Sequence, residues 1–295
     1  MIPPRTILTA VDFSEGSRAA LAFAARLAVH CGSTLHVLHA EDPLLCAAAQ
    51  HQGRDLSEET LEELRRFTAE TWPSVTCNPT LHAVAGQAGD VIRDIGTREN
   101  ADVIVVGSRG MSGAERLLFG STTEYVLRRA DASVLVVPAG WTAPRAEAPD
   151  LTGVGPLVAG IDFTTSSALA AAAAAWLAAT LHTYLEVVHV VAGVQVLQRW
   201  RADAETVMTG QVEDARRELG AFVRTLAATV PIETRVDVGR VPEQLAAAVA
   251  SHTEQHPLLV LGRRAGGSRG IVPGAIAYRV LMEARVPALV HLPKP

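Results

Sequence analysis

The sequence predicts an α/β protein made of two tandem copies of one unit, each a parallel sheet with helices on both faces. Three observations carry this. Short apolar runs rich in Val, Ile and Leu alternate with longer segments of helical spacing. Blocks of residues recur at an offset of about 150. Ala10-Val11-Asp12-Phe13-Ser14 matches Gly160-Ile161-Asp162-Phe163-Thr164, and Val105-Val106-Gly107-Ser108-Arg109 matches Val260-Leu261-Gly262-Arg263-Arg264. Gly120 through Val126-Leu127 likewise matches Gly274 through Val280-Leu281. Finally, the two copies end alike, at Ser133-Val-Leu-Val-Val-Pro138 and Ala288-Leu-Val-His-Leu-Pro293.

The first copy shows each element in turn. Thr6 to Val11 reads as a strand. Ser17 to Cys31 places Leu21, Ala24, Leu27 and Ala28 on one face and reads as a helix. Thr34 to Ala40 is the second strand. Asp55-Leu-Ser-Glu58 resembles an aspartate-led capping box, after which Leu61, Leu64 and Phe67 follow at helical spacing. Thr80 to Ala85 is a strand, Ala88 to Arg98 a helix and Val103 to Val106 a strand. A helix follows Ser121 and runs to Arg129, and Val134 to Val137 closes the unit. Strands joined by helices must cross over, which makes the sheet parallel.

Length and composition agree. The 295 residues suit about two domains of ~150 residues. Ala139 to Pro156 contains Pro144, Pro149, Gly153, Gly155 and Pro156 and reads as a linker, so the expected units are 1–146 and 147–295. Apolar residues make up 48% and charged residues 19%, enough apolar surface for real cores. The net charge of −5 provides no basic footprint for nucleic acid or an anionic membrane. The cations are almost all arginine; Lys294 is the single lysine. No basic segment followed by an apolar stretch opens the chain, and Ala168 to Leu181 is too short to span a bilayer. The expectation is a cytoplasmic protein with no membrane partner. Cys31, Cys46 and Cys77 form no CxxC and no disulfide framework.

In a doubly wound sheet, ligands bind beyond the carboxyl ends of the strands where strand order reverses. Two features fall there. Asp12 ends the first strand, where it suits a ribose hydroxyl, a metal shared with phosphate, or a plain turn before a helix. Gly107-Ser-Arg-Gly110-Met-Ser-Gly113-Ala-Glu-Arg-Leu-Leu-Phe-Gly120-Ser121-Thr122 links a buried strand to a helix. Glycines let a backbone approach a ligand closely, and the N–H groups and dipole of a helix start favour phosphate. Arg109 and Arg116 offer charge. The spacing G-x2-G-x9-G-S is neither the dinucleotide fingerprint nor a Walker loop, and no lysine is near.

Asp12, this loop and the closing Leu-Val-Val-Pro strand together resemble the ATP-binding branch of the universal stress protein family, over essentially the whole chain as two copies. The resemblance implies two Rossmann-like domains of the adenine nucleotide alpha hydrolase-like type, each with five parallel strands. It implies ATP, accompanied by Mg2+, with Gly107, Gly110, Gly120 and Ser121 on the phosphates and Arg109, Met111 and Thr122 beside them. Asp12 and the backbone near Ala40 would lie by the ribose and adenine. It also implies pairing through the last strands, either within the chain or between two chains as a homodimer.

The second copy departs from this pattern. Asp162, Gly262 and Gly274 persist, but Ala265 stands at the place of Gly110, Ala275 replaces the serine, and the loop is one residue shorter. A second nucleotide site and a purely structural loop both remain open. His36 and His39 fall on opposite faces of a strand, a spacing wrong for a shared metal, and His30 adds nothing to them. No Ser-His-Asp elbow or HExxH is present. The expected function is a nucleotide-binding stress-response regulator with an unidentified protein partner. The alternatives are a weak ATPase of the same fold and a partner-binding module that has lost nucleotide.

Overall fold

The computed structural model describes residues 3–73, 78–108, 120–193, 201–263 and 275–293. Among them the first copy contains β1 (Thr6–Ala10), α1 (Glu15–Cys31), β2 (Thr34–Glu41), α2 (Pro43–His51), α3 (Leu56–Thr71), β3 (Thr80–Ala85), α4 (Ala88–Arg98), β4 (Val103–Gly107), α5 (Ser121–Arg129) and β5 (Ser133–Val137). The second contains β6 (Leu157–Ile161), α6 (Thr165–Thr180), β7 (Leu185–Ala192), α7 (Arg201–Thr225), β8 (Ile232–Gly239), α8 (Val241–Ala250), β9 (Leu258–Gly262), α9 (Ala275–Ala284) and β10 (Ala288–His291).

Local chemistry sets the ends of α1. The Ser14 hydroxyl accepts from the Ser17 N–H at 3.2 Å, and this cap starts the helix at Glu15, two residues before the periodicity does. Gly32 ends it in the left-handed region, φ 66°, while the Ser33 N–H reaches back to the Ala28 carbonyl. Helix α2 has no counterpart in the sequence reading. Its signal is Asp42-Pro43, a capping aspartate before a proline in the first turn, with Asp42 Oδ1 accepting from the Leu44 N–H at 2.8 Å. It lacks an apolar stripe, because Leu44 and Leu45 face solvent.

The strands form one ten-stranded sheet in the order β3-β2-β1-β4-β5-β10-β9-β6-β7-β8, palindromic about its centre. Every pairing is parallel except the central one, where Val134, Leu135 and Val136 of β5 run antiparallel to Val290, Leu289 and Ala288 of β10. The last strands of the two copies thus pair within the chain. Alternation divides each apolar run between two cores. Ile7, Val103, Val105, Leu135 and Val137 face the helices α1, α3, α6 and α7, whereas Leu8, Ile104, Val106, Val134 and Val136 face α4, α5, α8 and α9. Both cores continue from one copy into the other across the β5–β10 seam.

Residues 139–156 carry no helix or strand, yet they are packed. Leu151 and Val154 are buried, Trp141 meets Phe23 edge-on, and Ala146 accepts a hydrogen bond from Arg26 Nη2. Helix α6 is the alanine-rich segment. Ala170, Ala171, Ala174 and Ala178 are fully buried, the small side chains letting the helix lie close on the sheet. His30 belongs to this junction, its Nε2 lying 2.8 Å from the Thr180 carbonyl oxygen.

Candidate functional site

From β1 the chain moves outward to β2 and β3, then returns to the other side of β1 as β4. The carboxyl ends of β1 and β4 therefore open a crevice. A cavity of about 300 Å³ lies there, at the lower end of the range for small-molecule sites. Its walls include Asp12, Ala40, Gly107, Gly120, Ser121 and Thr122. Residues distant in sequence are thus brought to one place. Arg109, Gly110 and Met111, expected beside them, lie outside the described residues, as do Arg116 and Gly274.

Gly107 has a packing reason of its own. A Cβ at this position would stand 2.6 Å from the Gly16 carbonyl oxygen, so the end of β4 meets the first turn of α1 backbone to backbone. Next to it, Thr123 Oγ1 donates to the Gly107 carbonyl at 2.7 Å, and the Gly120 N–H donates to the Ser108 carbonyl at 3.1 Å. These two bonds hold the start of α5 against the end of β4. Gly120 is the N-cap of α5 and brings no side-chain cap. Helix α4 also begins at this cavity, with Ala88 in its wall, and its N-cap Gln87 makes no side-chain capping bond either. Two helix starts, both lacking a side-chain cap, thus face one cavity, which favours an anionic ligand.

On the opposite wall, Asp12 Oδ1 accepts from the Ser14 N–H at 3.2 Å and from Ser14 Oγ at 2.5 Å. Phe13 between them takes a left-handed backbone, φ 62°. The turn reading of Asp12 is therefore satisfied geometrically, in addition to its place in the cavity wall. Among the described residues, no lysine or arginine lines this cavity.

His39 also lines it. Its Nδ1 lies 2.8 Å from the Val11 carbonyl oxygen, and its ring rests on Phe13 at 4.7 Å between centroids. A carbonyl only accepts, so Nδ1 carries the proton and Nε2 is the acceptor of the neutral ring. Sequence reasoning examined His39 only as a metal ligand and missed it here. The available signal was the repeat itself: His189 stands as far from Asp162 as His39 does from Asp12.

The second copy repeats this corner closely. Asp162 Oδ1 accepts from the Thr164 N–H at 3.1 Å and from Thr164 Oγ1 at 2.5 Å, and Phe163 has φ 57°. His189 Nδ1 lies 2.9 Å from the Ile161 carbonyl oxygen, its ring 4.6 Å from that of Phe163. A Cβ on Gly262 would stand 2.5 Å from the Ser166 carbonyl oxygen, as at Gly107. Beyond Gly262 the copies diverge. Arg263, at the position of Ser108, is buried and turns toward the first copy, where Nη1 donates to the Ala130 carbonyl at 2.6 Å.

Fold and crevice define a tandem, doubly wound α/β protein with one strand-end corner built twice. The pattern of the universal stress protein family matches residues 4–138 and 154–291, and the chain belongs to that family. A universal stress protein of Mycolicibacterium smegmatis is 28% identical over 98% of this chain and 97% of its own length. One from Mycobacterium tuberculosis H37Rv is 25% identical over 96% of this chain and 95% of its own. The crystal structure of a universal stress protein from Archaeoglobus fulgidus shares the fold, with a TM-score of 0.63 at 17% identity, covering 97% of each chain. No helix among the described residues is long and apolar enough to cross a membrane.

Proposed function

We propose that the chain is an adenine-nucleotide-binding regulator of the universal stress protein family, acting in the cytoplasm, with ATP and Mg2+ at the crevice of the first copy. The observation that carries this reading is the pair of helix starts, α4 and α5, that face the cavity without side-chain caps while Asp12 and Ala40 form its other wall. Backbone N–H groups at Ser121 and Thr122 suit phosphate oxygens, with Gly120 giving close approach and Gly107, Arg109, Gly110 and Met111 of the loop beside them. The Asp12 carboxylate suits a ribose hydroxyl or a phosphate-bound Mg2+, and the apolar wall around Ala40 suits a base. The proposed units are 1–146, carrying this site, and 147–295, where Asp162, Gly262 and Gly274 would serve a reduced version.

Regulation without fast chemistry fits a cavity whose described wall has no lysine and no carboxylate besides Asp12. Nucleotide occupancy would bias the surface offered to a protein partner or to a second copy of the chain. The test is the nucleotide content of freshly purified protein, by acid extraction and chromatography. About one adenine nucleotide per chain supports the first crevice, and about two extends the reading to the second. No nucleotide, and no binding of added MgATP, overturns it in favour of a partner module. Phosphate release well above trace, abolished in Gly120→Val, would make the protein an ATPase instead.

A further inference from the structure

Away from the crevice, the outer edge of the first copy brings two imidazoles and a carboxylate together. His36 lies on β2, His82 on the edge strand β3, and Glu99 is the residue that ends α4. The register pairs His36 with Thr80 and Leu38 with His82, so the two histidines are diagonal neighbours on one face. His36 Nδ1 lies 2.9 Å from His82 Nε2, with the rings nearly parallel, and 3.9 Å from Glu99 Oε2. One ligand atom from each residue falls within 4.8 Å of the others. A tetrahedral ion with bonds of ~2.0–2.1 Å needs ligands about 3.3 Å apart; the two separations from His36 Nδ1, 2.9 and 3.9 Å, lie on either side of that value.

We propose that His36, His82 and Glu99 form a binding site for a divalent transition-metal cation of the zinc class, with a fourth position left for water or an exogenous ligand. The reading is independent of the nucleotide crevice. The donor set, two imidazoles and one carboxylate, suits such an ion and suits Mg2+ or Ca2+ poorly.

The protonation states agree. Burial, above all, holds both imidazoles below the ordinary histidine range, with Arg98 and, for His82, the neighbouring His36 ring adding to it; Glu99 opposes. Both rings are therefore neutral at pH 7, as ligands must be. Glu99 is held below the usual carboxylate range, chiefly by its hydrogen bond from Arg98, and is ionised.

The second copy provides an internal comparison. Leu8 pairs with His36 as Val158 pairs with Glu186, so Glu186 occupies the place of His36. There, His252 Nε2 meets Glu186 Oε2 at 2.9 Å, an ion pair when His252 is protonated. In the first copy the place of that carboxylate–imidazole pair is taken by two imidazoles, whose facing nitrogens share one proton in a hydrogen bond that a cation would replace.

Arg98 opposes the ion. Its Nη2 lies 3.4 Å from His82 Nδ1, and its Nε donates to Glu99 Oε1 at 2.8 Å. A guanidinium only donates, so it favours the tautomer with the proton on His82 Nε2, the atom the metal needs. Being mostly exposed, Arg98 has room to swing aside.

The test is titration of the full-length protein with zinc by calorimetry, alongside Co(II) as an absorbing probe of tetrahedral geometry. The expectation is one tight equivalent, weakened about 100-fold in His82→Gln and in Glu99→Gln, and tightened severalfold in Arg98→Gln. Circular dichroism checks that each variant is folded, and Glu99→Gln, altering a partly exposed side chain, serves if His82→Gln misfolds. Zinc binding equal in the wild type and in a folded ligand variant, or no zinc binding by the wild type, overturns the proposal.

Discussion

Arg263 Nη1 donates to the carbonyl oxygen of Ala130 at 2.6 Å, while its Nη2 reaches the Arg128 carbonyl at 3.3 Å. A residue from the loop start of the second copy thus caps the end of α5, the helix whose other end faces the first crevice. A cation at a helix C-terminus complements both the orphan carbonyls and the dipole. Replacing Arg263 by Met takes the donor from the buried Ala130 carbonyl, while the Arg128 carbonyl belongs to an exposed residue. The expected cost is about 1–3 kcal/mol, that of one unsatisfied buried group. Urea unfolding measures it, and a change below about 0.5 kcal/mol would show that the cap is dispensable.

Gly107 and Gly262 are glycines for contact. Gly107→Ala sets a methyl 2.6 Å from the Gly16 carbonyl oxygen, and Gly262→Ala sets one 2.5 Å from that of Ser166. Backbone cannot rotate away as a side chain can. Each change is expected to destabilise by about 1–3 kcal/mol as helix and strand part. Gly140→Ala, whose added Cβ meets nothing within 4 Å, is the control and should shift the thermal midpoint little.

Asp12 and Asp162 occupy equivalent turns, so a matched pair of variants separates the copies. Asp12→Asn is expected to weaken adenine-nucleotide binding about 10-fold, the loss of ~1.4 kcal/mol of charge-assisted contact. Asp162→Asn should leave the tight site untouched. Calorimetry with MgATP on both variants decides, and equal losses in the two would contradict an assignment to the first crevice.

Stability should fall on both sides of neutrality. Burial holds His291, at the β5–β10 seam, below the ordinary histidine range, and His36 and His82 lie below it too. Below about pH 6.5 the unfolded chain takes up protons that these rings refuse when folded, so stability declines as pH falls. Cys31 shows the opposite case. Burial pushes its thiol up to about 11, so stability is complete below the thiol's ordinary value and declines as pH rises toward 11. Ser133 Oγ lies 3.2 Å from His291 Nδ1. His291→Gln, read by chemical denaturation from pH 5 to 8, should flatten the acid limb; an unchanged slope would assign that limb to other groups.

The tandem plan, the alternation of strands and helices within each copy and the place of Asp12 and Gly120 at element ends were legible in sequence, because each rests on local periodicity or on repetition. Helix α2 was not, since its Leu44 and Leu45 pack on nothing and leave no periodic stripe. Gly107 was read for a ligand, and only the packed structure shows the Gly16 carbonyl that also demands it. His36 was weighed as a ligand only with His30 and His39, because His82, its neighbour on the same sheet face, is 46 residues away.

By itself, then, the sequence determined what depends on neighbours along the chain: alternation that buries both faces of a strand, caps that start helices, glycines at turns, and a unit written twice. Tertiary structure decided what depends on register and approach. The antiparallel β5–β10 seam, the reach of Arg263 into the first copy and the meeting of His36 with His82 and Glu99 all arise there. Side-chain period is a local property of the backbone, whereas which strand lies beside which, and at what offset, is set by how two whole cores pack at once.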